Sequence, residues 1–228
     1  MGSSRETICP KAFGHTQGYC GLLDKLLKLF RKPEPIVSME GLAEFLSGEA
    51  SFLAQKSTIE YCRARAGVQW QKLFSEQAFL RSLERCRWEA FSLVLADIVL
   101  VAEGRLRPQT SAEGTLALAD AFGRLYESIL MNYPIPTHRS DWRDRVEELQ
   151  RRLGRAQIAA PARTEEIAAV SGRAVFDLLP IHPSLRGHDR LMIFNHIRFG
   201  LMTFAERFDR RVDAGALTSR LRHAEPGR

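Results

Sequence analysis

The stretch AFSLVLADIVLVA, residues 90–102, is apolar at every position except Ser92 and Asp97. Thirteen residues are too few to cross a bilayer, which needs roughly 20 apolar residues in a row. They are also too uniformly apolar for a helix with one wet face. Taken with its flanks, the segment reads as a helix over 76–103 that starts mixed and ends buried on every side. Gly104 and Pro108 close it.

The chain on either side repeats helical punctuation. Ser38 followed by Glu40 marks a start. Leu42, Phe45, Leu46, Phe52, Leu53 and Ile59 then recur at three- and four-residue steps through 39–66, and Gly67 stops that helix. A short helix over 68–74 leads to Ser75, the expected cap of the central helix. Downstream, Thr110 or Ser111 opens a helix over 112–132, ended by NYPIPTH. Ser140 opens a charged helix over 141–153, with acids first and arginines after, as the helix dipole prefers. Thr164 opens 165–179, and a last long helix covers 188–212. No alternating Val/Ile/Thr run bounded by turns appears. The expected fold is all-α, an irregular bundle of seven or eight helices around the apolar central one. The expected organisation is a flexible segment over 1–18, an amphipathic helix with a proline linker over 19–35, a helical domain over 36–213, and a flexible tail over 214–228.

A chain of 228 residues with 45% hydrophobic side chains has ample material for a core. Its formal charge of +6 is uneven: residues 1–32 carry six bases and two acids, and residues 139–228 carry seventeen arginines and twelve acids. Nucleic acid is not favoured, because the arginines alternate with acids, as in DWRDRVEELQRRLGR, rather than gathering on one element. Cys9, Cys20, Cys62 and Cys86 form no C-x-x-C pair, which fits a reducing, cytoplasmic compartment. The chain lacks G-x-S-x-G, Walker A, G-x-G-x-x-G and H-E-x-x-H. No cofactor or metal is expected, and binding is favoured over turnover.

Three features carry functional expectation. GLLDKLLKLFRK, residues 21–32, sets Leu22, Leu23, Leu26, Leu27, Leu29 and Phe30 against Lys25, Lys28, Arg31 and Lys32. So short a helix needs something to pack on: an anionic membrane surface, a protein partner or second copy, or the chain's own core. The echo LVLAD (93–97) and LALAD (116–120) puts Asp97 and Asp120 in apolar helices, where each needs a partner or a rim. His196, in the apolar MIFNHIRFGLM, is expected to hydrogen-bond within the core. In the alternative reading, a bundle with an apolar cavity for a lipid-like ligand, Asp97, Asp120 and His196 are the polar groups near that cavity.

The third feature is FLAQK…EYCRARAG within 45–74, with an apolar LADI helix further along. This run resembles a family of uncharacterised bacterial proteins, over about a third of the chain. Some members carry an esterase label, but the nucleophile elbow that such chemistry needs is missing here. The resemblance therefore assigns no catalytic residue. Gln55, Lys56, Glu60, Tyr61, Arg63 and Arg65 are the motif positions to inspect. The reading is a non-catalytic adaptor, with self-association or a peripheral membrane contact through 21–32; a lipid-binding bundle is the alternative.

Overall fold

A computed structural model describes residues 34–223, except 161 and 188. The segment 21–32 lies outside the described residues, and so do 1–18 and 224–228. The fold is all-α. Its helices are α1 (Met39–Gln55), α2 (Tyr61–Ala66), α3 (Trp70–Leu73), α4 (Gln77–Leu106), α5 (Ala112–Met131), α6 (Arg143–Gln157), α7 (Thr164–Leu178), α8 (Pro183–Arg186), α9 (Arg190–Arg211) and α10 (Ala214–His223). The described residues from Pro35 to His223 belong to one compact unit.

Helix α4 is the axis. Every residue from 89 to 99 is buried, and α1, α5, α6, α7 and α9 all pack against it. So apolar a run can be satisfied only where neighbours cover all sides, and this one is. Helices α7 and α9 form the most extensive pair. They approach closely because Gly172 presents no side chain, and a Cβ there would lie 3.1 Å from the Phe194 Cα. A second close approach lies between α1 and α9, where the buried Leu53 side chain fills the space above Gly200. A Cβ at 200 would sit 3.1 Å from Leu53 Cγ and nearer still to both of its methyls. Gly200→Ala is expected to lower stability by about 1–2 kcal/mol, because overpacking outweighs the helix propensity that alanine restores. Urea denaturation measures this directly.

Four boundaries depart from the sequence reading. The helix expected over 39–66 is interrupted by a π-helical turn, Lys56–Glu60. The cause is local. The Ser57 and Thr58 hydroxyls donate to the carbonyls of Leu53 and Ala54, both at 2.8 Å, which are the acceptors that regular α-helical amides would use. The charged helix starts at Arg143 rather than 141 and runs through Gly154 to Gln157. Asp141 instead accepts from the Arg143 N–H at 3.0 Å, and Trp142 is fully buried. Ser75 does not cap α4; its hydroxyl donates to the Lys72 carbonyl, and Glu76 holds the cap position.

The last departure is at the end of the chain. Residues 214–223, expected as part of a flexible tail, form α10, with Asp213 accepting from Ala216 N–H at 2.9 Å and Leu217 fully buried. The start of the helical domain is tied to the same place. Ile36 N–H donates to the Arg211 carbonyl at 2.7 Å, and Asp213 N–H donates to the Ile36 carbonyl at 3.0 Å.

Candidate functional site

The two echoed acids do not meet. Asp120 is exposed on α5, whereas Asp97 is fully buried on α4. The structure therefore does not bring Asp97, Asp120 and His196, the polar candidates of the alternative reading, to one cavity. The pentapeptides sit at different angles to the core, so nearly the same sequence delivers one acid inward and the other to solvent. Asp97 is partnered from two helices: Arg152 Nη2 donates to it at 2.7 Å, and the Ser171 hydroxyl donates to its other oxygen. Burial pushes the Asp97 carboxyl upward, against the pull of Arg152 and Ser171.

Further along α4, Glu103 is also fully buried. It takes a two-point bond from Arg107, whose Nε lies 2.9 Å from Oε1. Arg107 Nη1 then donates to the carbonyls of Ala156 and Ala159 at 2.7 and 3.3 Å. Two buried carboxylates thus fix two arginines whose other faces line one groove. This groove, of about 700 Å³, lies between the end of α4, the end of α6 and the start of α7. Leu100, Val101, Pro108, Ala156, Ile167 and Val170 supply its apolar lining. Arg105 pairs with Asp209 and Arg163 with Glu166, each at 3.0 Å. Arg155 makes no ion pair among the described residues, and Arg152 gives only one of its five N–H donors to Asp97. An apolar floor with two α6 guanidiniums open at its edge can hold a molecule with a greasy body and one anionic end.

His196 and the motif residues occupy a different place. Lys56, Glu60, Tyr61, Arg65 and His196 all line one pocket of about 350 Å³, where the π turn faces α9. Tyr61 donates to Asp189 at 2.9 Å, and Arg65 pairs with the same carboxylate. Arg65 and Tyr61 thereby tie α2 to the start of α9. Burial, and then the nearby Lys56 ammonium, lower the His196 pKa and favour the neutral imidazole. His196 was expected to bond within the core; it is half-buried on the pocket wall instead. Gln55 is exposed outside this pocket, and Arg63 turns away to stack over Trp70 at 4.2 Å.

A third cluster went unnoticed in the sequence. Glu89, buried on α4, receives Arg139 through both oxygens, Arg145 at 2.5 Å and His138 at 2.9 Å. Burial alone would raise its carboxyl; the bonds from Arg139, Arg145 and His138 overcome that and bring it down to about 2. The cluster pins the 133–142 connection to the central helix. The visible signal was an acid one position before the apolar run, opposite a connection rich in bases. The two cysteines among the described residues, Cys62 and Cys86, offer no nucleophile: both are free and buried, and burial pushes both thiols up to about 12.

Among the described residues, no group of His, Cys, Asp and Glu side chains could hold a metal ion, and no helix is long and apolar enough to cross a membrane. No family model, curated protein or solved structure matches the chain.

Proposed function

We propose that this chain is a binding protein whose ligand is an amphiphile with an apolar body and a single anionic head. The observation that carries the reading is the groove itself. Its apolar side chains form the floor, and Arg152 and Arg155 stand at its edge with donors to spare. The buried carboxylates Asp97 and Glu103 hold Arg152 and Arg107 in place, so the polar edge is preorganised rather than assembled on binding.

The fluorescent fatty acid cis-parinarate tests it. The wild-type chain is expected to bind the probe with saturation. Val170→Trp, at a half-exposed lining position, should plug the groove without touching the core and abolish binding. Arg155→Ala should weaken binding by about tenfold, the value of one charge-assisted hydrogen bond. Equal binding by wild type and Val170→Trp would remove the groove as the site.

A second reading rests on the sequence of 21–32. There the chain would be a cytoplasmic adaptor that reaches an anionic membrane surface or a protein partner through Leu22, Leu23, Leu26, Leu29 and Phe30. Liposome flotation of the full chain against one starting at Ile36 separates the two readings. Flotation that requires 21–32 supports the adaptor.

A further inference from the structure

The pocket at the π turn lies apart from the groove, shares no lining residue with it, and takes a different kind of molecule. We infer that it is a binding site for a small zwitterion, a free α-amino acid with an apolar side chain, held between Lys56 and Glu60.

Some of the charges around the pocket are already used. Asp189, Arg65 and Tyr61 satisfy one another, and Arg65 also reaches the Arg186 carbonyl. That leaves Lys56, Glu60 and His196. None of the three side chains makes an ion pair or hydrogen bond among the described residues, although all three line the same 350 Å³ of space. The Lys56 ammonium rests only against the Phe52 ring, at 5.4 Å. The pocket therefore offers one open cation, one open anion and a half-buried imidazole.

Those three groups decide which ligands are complementary. A simple anion would gain Lys56 but face Glu60 unpaired, and a simple cation would suffer the reverse; juxtaposed like charges are costly. A molecule carrying both an ammonium and a carboxylate satisfies both. Lys56 and Glu60 stand at the two ends of the π turn and both line the pocket, so one small molecule with an ammonium and a carboxylate can meet both. His196 contributes a further hydrogen-bonding group, and the Met192, Ile193 and Ala64 side chains give an apolar wall for a side chain. The volume is at the small end for ligand pockets.

The π turn explains why these groups converge. The extra residue it inserts rotates the next stretch of helix, so that Lys56 and Glu60 both border the pocket with Tyr61 and Arg65. Such turns occur frequently at functional sites. The Ser57 and Thr58 hydroxyls that hold it in place are themselves buried.

A thermal-shift screen of the twenty free amino acids against the full chain, with calorimetric titration of the best, tests the assignment. An apolar amino acid is expected to raise Tm and to saturate. Its N-acetyl derivative, which lacks the ammonium, and its amide, which lacks the carboxylate, should each bind at least about tenfold more weakly. Lys56→Met and Glu60→Gln should each cost a similar factor. Neither residue is in an ion pair, so both variants should melt as wild type does. The groove-plugging Val170→Trp should leave this binding unchanged. The inference is overturned if none of the twenty shifts Tm, if the N-acetyl derivative binds as well as its parent, or if Glu60→Gln binds undiminished.

Discussion

Glu89→Gln is expected to lower stability at pH 7 by about 3 kcal/mol. The substitution keeps the shape and removes the charge that three cationic or hydrogen-bonding side chains share. Arg139 retains Asp144 at 2.6 Å, but Arg145 keeps only a 3.8 Å contact with the same carboxylate. The magnitude comes from the displacement of the carboxyl from 4.5 to about 2, each unit of which corresponds to about 1.4 kcal/mol. The sign is fixed by its direction. A depressed folded pKa gives stability that is fully present above the unfolded value of 4.5 and is lost as pH falls toward about 2. Urea denaturation at several pH values should show the wild type losing this increment between those limits. Wild type and Glu89→Gln should converge near the lower limit. A difference below about 1 kcal/mol at pH 7 would mean that the cluster behaves as a surface ion pair.

Asp97→Ala is expected to cost about 3–5 kcal/mol, because it strands Arg152, a side chain only 12% exposed, against an apolar helix. The cost should depend on its partner. In the double variant Asp97→Leu/Arg152→Leu neither charge of the pair remains, and most of the loss should return. A cycle closed with the single variants Asp97→Leu and Arg152→Leu separates the worth of the pair from the penalty of breaking it. Arg152 also borders the groove, so the two variants differ in a second way. Asp97→Ala leaves the guanidinium present but unanchored, and the double variant removes it. Probe affinity should fall in both, even though stability recovers in only one. Recovery of stability together with full affinity would show that Arg152 does not touch the ligand.

How much of the fold is legible in the sequence depends on how local each cause is. The run 90–102, apolar but for Ser92 and Asp97, needs cover on every side wherever it lies, so an all-α bundle around α4 could be read from it. Ser38 and Ser111 cap as expected, through bonds to the N–H groups of Gly41 and Gly114. The π turn was not legible as such. Ser57 and Thr58 announce a competitor for helix carbonyls, but their rotamers decide whether they compete. Helix α10 was missed because its stability comes from Leu217 in a distant core and from an Asp213 cap, while its ten residues alone are too few.

The candidate site divides the same way. The motif residues Lys56, Glu60, Tyr61 and Arg65 are close in sequence and stay together around one pocket, yet nothing along the chain links them to His196 or Asp189, which come from the distant α9 region. The echo of Asp97 and Asp120 called for a partner or a rim at each acid, but which acid points inward was not legible, because like pentapeptides have no common orientation until their helices are placed. The groove was invisible for the same reason. Its floor draws on the ends of three helices, and its arginines gain meaning only from the buried acids behind them.

Solvent extraction of the full-length chain, purified without detergent and analysed by mass spectrometry, tests the central claim most directly. If the groove binds an amphiphile, the extract should contain an anionic, long-chain species near one per chain, and Val170→Trp purified in parallel should lack it. An empty extract from a wild-type chain that also fails to bind cis-parinarate would contradict the account. The groove would then be a surface feature of the packing of α4, α6 and α7.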